Sequence, residues 1–376
     1  ELWAEWINKE NCDAARSLNF YQMQEMFLRR KIVDGDSLLI MSYNPEKISV
    51  FPLVLQLIES DLLAEDIIQH EKHYVYGGVE VDDYMAAVAY HWRFNPNEIG
   101  TTVRTEAQRV IHGYIKTRAS QVRGVSALAG VMENVRDCGE FIESELKAAR
   151  MASALTGVIY SESPTGNNVG RTMTSSSGQK ITEIEIGTMM NLNPNERAEF
   201  FTPGRPNGAA APFVTAILRF IGMGLGLSYE AISRDISQAN FSSAREGRLQ
   251  DIKTYEMIQT DLINGLCQPV YSQWLDSMVL TGKINIPRYW SDKKRYQKCR
   301  WVKPGWKWVD PLKDAKALEA QLAAYTTTLQ DTCGEMGKDW QEVVEQRARE
   351  KAYIQEVEKL NKIYSDGGEN NSAQQS

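Results

Sequence analysis

Apolar side chains change their spacing several times along this chain, and each change marks an element. From Phe20 to Lys31 they recur at helical intervals, Val33-Asp34-Gly35-Asp36 supplies a turn, and Ser37 to Met41 predicts a strand that opens a hairpin. Tyr84 to Phe94 predicts a further strand, Ala107 to Ile115 continues in the same character, and Gln121-Val122-Arg123-Gly124-Val125-Ser126 closes the section with a turn. Residues 1–125 therefore predict an α+β unit of short helices and strands. Ser126 has the chemistry of a helix cap. Beyond it Leu128, Val131, Val135, Cys138, Ile142, Leu146 and Ala149 step by three and four, one face of a helix running to about Thr156. At about 1.5 Å per residue that helix is roughly 45 Å long.

Val158-Ile159-Tyr160 predicts a strand, and Ser161 to Lys180, dominated by Ser, Thr, Gly, Asn and Pro, predicts a mobile excursion. Ile181 to Ile186 alternates as a half-buried strand does, with Met190 and Leu192 continuing it to Asn193-Pro194. Pro206 to Pro212 is punctuated by Gly and Ala, and Phe213 to Ile221 is helical until Gly222, Gly224 and Gly226 loosen it, ending near Leu227. Ser228 to Ile232 starts another helical turn, Arg234 to Asn240 is turn-like, and Ser242 to Leu266 predicts a long polar helix. Tryptophans cluster with basic residues in Trp290 to Trp308. Asp310-Pro311 then opens a helical hairpin: Ala315, Leu318, Leu322, Tyr325 and Leu329 mark its first helix, and Asp339 with Glu342 makes a capping box for a second that reaches about Tyr364 before a polar tail. No internal repeat is visible.

The chain's 376 residues suffice for two or three compact units. A hydrophobic content of 43% with 24% charged residues is that of folded globular proteins. The net charge of −7 argues against an outer surface that grips nucleic acid, so any contact with DNA is local. No stretch of about 18 apolar residues and no leader stands out, which predicts a soluble chain made in the cytoplasm. Cys12, Cys138, Cys267, Cys299 and Cys333 are scattered and predict free thiols. A start at Glu1 within folded-looking sequence predicts a piece of a longer protein.

Spacing along the chain signals no catalytic set. No phosphate loop of the Gly-x4-Gly-Lys-Ser/Thr kind occurs, and Gly222-Met223-Gly224-Leu225-Gly226 follows a helix rather than a strand, so it predicts helix breaking rather than dinucleotide binding. His70, His73, His91 and His112 are scattered; His70 and His73 have the spacing of a shared helix face, but no third ligand is signalled, so neither a metal nor any other cofactor is expected. The acid pairs Asp34/Asp36 and Asp82/Asp83 are turn residues. The run Trp290 to Lys307 suits burial between domains better than stacking on single-stranded bases.

Several strings, in order, resemble the lambda-type family of tailed-bacteriophage portal (head-tail connector) proteins. They are Leu2-Trp3-Ala4, Cys12-Asp13-Ala14, Asp34-Gly35-Asp36, Val110-Ile111-His112 and the Gln121 to Ser126 turn. The most specific stretch runs from Phe213 to Arg248: Leu218-Arg219, Gly224-Leu225-Gly226-Leu227-Ser228-Tyr229-Glu230, Asp235, then Asn240-Phe241-Ser242-Ser243-Ala244-Arg245. Trp274-Leu275, Trp308-Val309-Asp310-Pro311-Leu312-Lys313 and Gly337-Lys338-Asp339-Trp340 complete the likeness. One departure is Pro194-Asn195-Glu196, where the family has Pro-Gly-Glu; Asn tolerates the left-handed conformation that Gly would take. Family members also carry a segment ahead of the position matched by Glu1.

The resemblance implies an α+β portal fold with an α/β wing, long stem helices, a small α/β clip and a helical crown. By order, the wing takes residues 1–125, the first stem helix 126–160, the clip 161–206, the second stem helix 207–232, the tunnel loop and tunnel helix 233–266, the wing return 267–310, and the crown and tail 311–376. It implies a non-enzymatic subunit of a homo-oligomeric ring, a dodecamer in the virion, at the capsid portal vertex, formed in the host cytoplasm. Double-stranded DNA passes through the ring, and the expected partners are the terminase large subunit, head-tail connector (head completion) proteins and the major capsid protein, with no membrane. Arg234, Arg245, Arg248 and Lys253 are the DNA-channel candidates, against an equally weighted alternative of a solvated face salt-bridged to Glu246 and Asp251. The loop Ser163 to Gln179 is expected to order against terminase or connector. The competing expectations are another ring-forming neck protein and, with no residue set behind it, a nuclease or protease of head maturation.

Overall fold

The computed structural model describes residues 1–43, 49–94, 102–154, 157–161, 171–174, 180–183, 196–200, 208–237, 240–304, 306 and 311–372. Helices and strands are mixed along the chain, which forms two compact units: Glu1–Ala127 together with Ala239–Ser376, and Leu128–Gln238.

The first unit begins with α1 (Leu2–Trp6), α2 (Lys9–Cys12) and α3 (Phe20–Val33). Asn19 opens α3 with a capping box: its side chain accepts from the Gln22 N–H while Gln22 reaches back to the Asn19 N–H. Strands β1 (Asp36–Tyr43), β2 (Leu53–Ile58), β3 (Gln69–His70), β4 (His73–Tyr76), β5 (Val79–Val81), β6 (Ala87–Trp92), β7 (Val103–Glu106) and β8 (Val110–Tyr114) follow. They form a three-stranded sheet ordered β2-β1-β8 and a five-stranded meander β3-β4-β5-β6-β7, antiparallel throughout.

Strand β1 is buried on both faces, and its two-residue period divides the core. Leu39 and Met41 enter one cluster with Trp6, Phe20, Met23 and Phe27, whereas Leu38 and Ile40 enter a second with Val79, Val81, Tyr90 and Trp92. The first cluster also takes Leu266, Val270, Trp274 and Met278, residues more than two hundred positions away, so this segment returns to complete the N-terminal core. Trp6 donates its indole N–H to the Leu53 carbonyl at 2.9 Å, satisfying the one polar atom of a fully buried ring.

The second unit contains α4 (Met132–Ala154), β9 (Gly157–Ser161), β10 (Arg171–Thr174), β11 (Lys180–Glu183), β12 (Glu196–Phe200), α5 (Ala210–Leu225) and α6 (Tyr229–Ser233). Two antiparallel pairs, β9 with β12 and β10 with β11, lie between the helices in sequence. Helix α4 starts later than expected: residues 128–131 are turn, and the Ser126 hydroxyl donates to the Ile32 carbonyl rather than capping a helix. The expected excursion Ser161 to Lys180 contains strand β10, and β12 had no counterpart in the sequence pattern. The rest of Ser163 to Gln179, Met190 and Leu192, Asn193-Pro194, Pro206, Trp308 and Asp310 lie outside the described residues.

The chain returns to the first unit with α7 (Phe241–Leu262), a π-helical turn (Ile263–Cys267) and α8 (Gln268–Leu280), so the helix passes the expected end at Leu266 without a break. Pro269 has no N–H to offer the preceding turn, and the π turn just before it accommodates that missing bond. Then come α9 (Lys293–Tyr296), α10 (Pro311–Ala323), α11 (Leu329–Glu335) and α12 (Trp340–Ser372). Three helices thus replace the expected hairpin, because Tyr325 takes a left-handed φ of 55° and Thr328 caps a separate α11. The Asp339 carboxylate accepts from the Gln341 and Glu342 N–H groups, as its spacing predicted, and the helix it opens runs to Ser372, past the expected tail boundary. The tryptophan run divides: Trp301 packs against Trp3 and Tyr271, Trp306 stacks on Tyr255, and Trp290 is exposed.

Asp36, at the start of β1 and only 3% exposed, joins the two sheets. Its Oδ1 accepts from the Gly124 N–H at 2.5 Å and pairs with His112 Nε2 at 2.9 Å; its Oδ2 accepts from Arg123 Nε at 2.5 Å. Arg123 also donates to the Gly77 carbonyl at the β4–β5 turn, 2.7 Å away. Burial works to raise the Asp36 pKa, but the hydrogen bonds from His112, Arg123 and Gly124 outweigh it and hold the carboxyl below its ordinary value. The close approach requires glycine on both sides: a Cβ on Gly124 would lie 2.1 Å from the Gly35 carbonyl oxygen, and one on Gly35, whose φ is +92°, 2.6 Å from the Val125 carbonyl carbon.

Two outcomes follow for this junction. Gly124→Ala forces backbone apart and is expected to cost about 3 kcal/mol, read as a lowered midpoint in urea unfolding; an unchanged midpoint contradicts the contact. Because the folded pKa of Asp36 lies below the unfolded value of about 3.9, its contribution is complete above that pH and is lost as pH falls through the folded value. Asp36→Asn is therefore expected to destabilise the chain at neutral pH and flatten its acid-unfolding curve below about pH 4, measured by circular dichroism against pH.

Candidate functional site

Helix α5 is continuous through Gly222 and Gly224, contrary to the expected break. Both glycines serve packing: a Cβ on Gly224 would lie 2.3 Å from Val131 Cγ1, and one on Gly222 2.7 Å from the Leu227 carbonyl oxygen. Only Gly226, at φ 67°, ends the helix, with the Leu227 N–H returning to the Gly222 carbonyl at 2.9 Å. Helices α4 and α5 run antiparallel, since Val131 meets Gly224 while Phe141 meets Phe213 with ring centroids 4.7 Å apart.

Ser228 caps α6 by accepting from the Ala231 N–H at 3.2 Å, and Arg234, at φ 56°, stops it after five residues. Asp235 accepts from the Ser237 N–H, and Asn240 caps α7 by accepting from the Ser243 N–H at 2.7 Å. The strings of the most specific resemblance are therefore mostly stop and start signals. Together they set where α5 ends, how the segment turns, and where α7 begins.

The four channel candidates do not form one cluster. Arg234 belongs to the Leu128–Gln238 unit, whereas Arg245, Arg248 and Lys253 share α7 in the other. On α7 the three fall within roughly 140° of its surface; Arg248 and Lys253 are exposed and Arg245 is half-buried. Of their expected acidic neighbours, Glu246 is exposed and accepts from Gln250, while Asp251 is buried at 6% exposure.

A second charged cluster was not read from the sequence. Glu80, in β5 and 1% exposed, takes Arg104 on both carboxylate oxygens (Nε to Oε2 2.8 Å, Nη2 to Oε1 3.1 Å), His73 on Oε1 and His91 on Oε2, each at 3.0 Å. The Arg104 hydrogen bonds prevail over burial and, with those of His73 and His91, hold its carboxyl at about 2. Burial, in contrast, lowers the His91 pKa despite its acidic neighbour. His70 and His73 are opposed residues of the antiparallel pair β3–β4 rather than neighbours on a helix. The sequence signal was a Glu between two valines, Val79 and Val81, a charge where a strand is buried.

Among the described residues no helix is long and apolar enough to cross a membrane. The profile of the family described as phage portal protein, lambda family, matches residues 1–259. The chain is 27% identical over 355 residues to the probable portal protein of Halomonas phage phiHAP-1, covering 91% of this chain and 67% of that protein. It is 19% identical over 386 residues to portal protein B of Escherichia phage lambda, covering 93% of this chain and 72% of that protein. Among solved structures, a chain from the virion of a native gene transfer agent particle superposes with a TM-score of 0.43 at 13% identity, covering 88% of this chain and 82% of the other. A chain from the neck of the empty particle gives a TM-score of 0.42 at 14% identity, covering 78% and 75%. With the family profile matched from the first residue into α7, and curated portal proteins related along nearly all of the chain, this protein belongs to the lambda family of phage portal proteins.

Proposed function

We propose that copies of this chain close into a portal ring at one capsid vertex, through which double-stranded DNA is packaged and ejected. The role is structural rather than catalytic, as for its curated relatives. The observation that carries the ring is an uncovered apolar surface. Met132, Val135, Ile142 and Leu146 lie within roughly 80° of one another on α4, as do Phe213, Phe220 and Met223 on α5, and all are 50% to 67% exposed. Only Val131 and Cys138 of the expected α4 stripe are buried within the subunit. Side chains of this size at helical spacing are buried by a partner, and in a ring that partner is the next copy, repeated by rotation until the ring closes.

In this reading α4 and α5 form the stem, β9 to β12 the clip, the α6–α7 segment the tunnel loop, α7 the tunnel helix, the two sheets of the first unit the wing, and α10 to α12 the crown. Twelve copies are proposed, as the family resemblance implies. The clip takes the terminase large subunit during packaging and then the head-tail connector proteins, while the outer wing meets the major capsid protein. A chain with net charge −7 leaves the duplex little continuous basic surface to cling to. Arg234, Arg245, Arg248 and Lys253, repeated around the ring, supply sparse phosphate contacts that slow the duplex without reading its sequence.

Charge placed on the stem separates assembly from DNA contact. Ile142→Glu with Leu146→Glu puts two carboxylates into each interface, a cost of several kcal/mol, and is expected to lower ring yield in native mass spectrometry by more than about a hundredfold. Neutralising Arg234 or Arg248 to Gln is expected to leave rings intact and to release packaged DNA at lower salt. Rings that survive the stem substitutions, or fail on loss of either arginine, would contradict the assignment.

A further inference from the structure

We propose that the five-stranded sheet holds a site for one transition-metal dication of the zinc class, ligated by His70 Nδ1, His91 Nε2 and Glu80 Oε2. The three residues come from β3, β6 and β5, and the atoms they offer all lie within 4.8 Å of one another. Two ligands of a tetrahedral zinc ion, each with a bond of about 2.0–2.1 Å, sit about 3.3 Å apart. The Glu80 Oε2 separations of 3.0 Å to His91 Nε2 and 3.5 Å to His70 Nδ1 bracket that value. Little rearrangement is needed for all three to reach a common ion.

The His70 ring supplies an independent observation. Its Nδ1 is buried yet has no hydrogen-bond partner, although it faces the Glu80 carboxylate. A buried polar atom without a hydrogen bond is costly, and in the tautomer that leaves Nδ1 unprotonated its lone pair, beside a carboxylate and a second imidazole, has a natural use in holding a cation. Two imidazoles and one carboxylate, with no thiolate, suit zinc, cobalt, nickel or copper rather than magnesium or calcium. With three protein ligands, the fourth position falls to water.

The surrounding groups determine how tightly such an ion is held. His73 binds the other carboxylate oxygen at 3.0 Å and helps orient Glu80, while Arg104 grips both oxygens. An entering dication displaces the hydrogen between Oε2 and His91 and competes with the Arg104 Nε–H for the same oxygen. Arg104 therefore opposes binding, which gives moderate affinity and a diagnostic variant. The structural effect is to clamp β3, an edge strand of only two residues, onto β5 and β6. The site is independent of the ring and of DNA.

The test uses the full chain after chelator treatment, titrated with Co²⁺ by visible absorption and with Zn²⁺ by calorimetry. Saturation at one ion per chain is expected, with visible bands of a nitrogen-oxygen ligand set rather than the intense charge transfer of thiolate ligands. His70→Ala, at a partly exposed edge position, is expected to weaken binding at least about tenfold, and Arg104→Gln to tighten it. Absence of one-to-one binding would overturn the proposal, and so would an isotherm unchanged in His70→Ala, which would move the ion to the cysteines. Circular dichroism checks that each variant folds; if Arg104→Gln does not, the His70→Ala comparison decides.

Discussion

A carboxylate as deeply buried as Asp36 stays ionised only if its oxygens are matched by donors, and the first unit is built around that requirement. β1 supplies the acid, β8 supplies His112, the turn after β8 supplies Arg123 and the Gly124 N–H, and Arg123 carries the connection onward to the Gly77 carbonyl of the second sheet. Three strings that resembled the portal family separately, around Gly35, His112 and Gly124, are one contact in space. Removing any donor leaves charge in a dry setting, a loss of about 3–5 kcal/mol when one partner of a buried pair is deleted. The chemistry therefore restricts these positions as a group.

Local signals were legible where the chain settles its own structure. The helical spacing from Phe20, the helical turn that begins at Ser228 and the N–H groups accepted by Asp339 all depend on neighbours within a few residues, and the structure has each of them. Distant partners override such signals elsewhere. Ser126 looked like a cap, but its hydroxyl goes to Ile32 on another element. Gly222 and Gly224 looked like breakers, yet they are small because Leu227 and Val131 come close to them. Pro269 and its π turn, the strand pairing that opposes His70 to His73, and the assembly of the Glu80 cluster required the fold. The family resemblance carried the functional reading further than periodicity did, because it rested on the order of short motifs.

The two units manage apolar surface differently. In the first, β1 is covered on both faces, and residues from either end of the chain complete one core. In the second, α4 and α5 touch along Val131, Phe141, Phe213 and Gly224 and leave apolar stripes in solvent. In the proposed ring, the stripes on α4 and α5 are the surface that neighbouring copies cover. The exposed basic residues of α7 are proposed to belong to the same scheme, since rotational symmetry turns one side chain into a circle of them.

The proposed role requires closure of the ring around an aperture that admits a duplex. Cryo-electron microscopy of the purified chain and of intact particles measures it most directly, by counting subunits and the width of the bore. Closed rings with α4 and α5 in the wall and an opening wider than B-form DNA are expected. Isolated molecules without a hole in both preparations, or a bore too narrow for the duplex in every state, would contradict the proposed role.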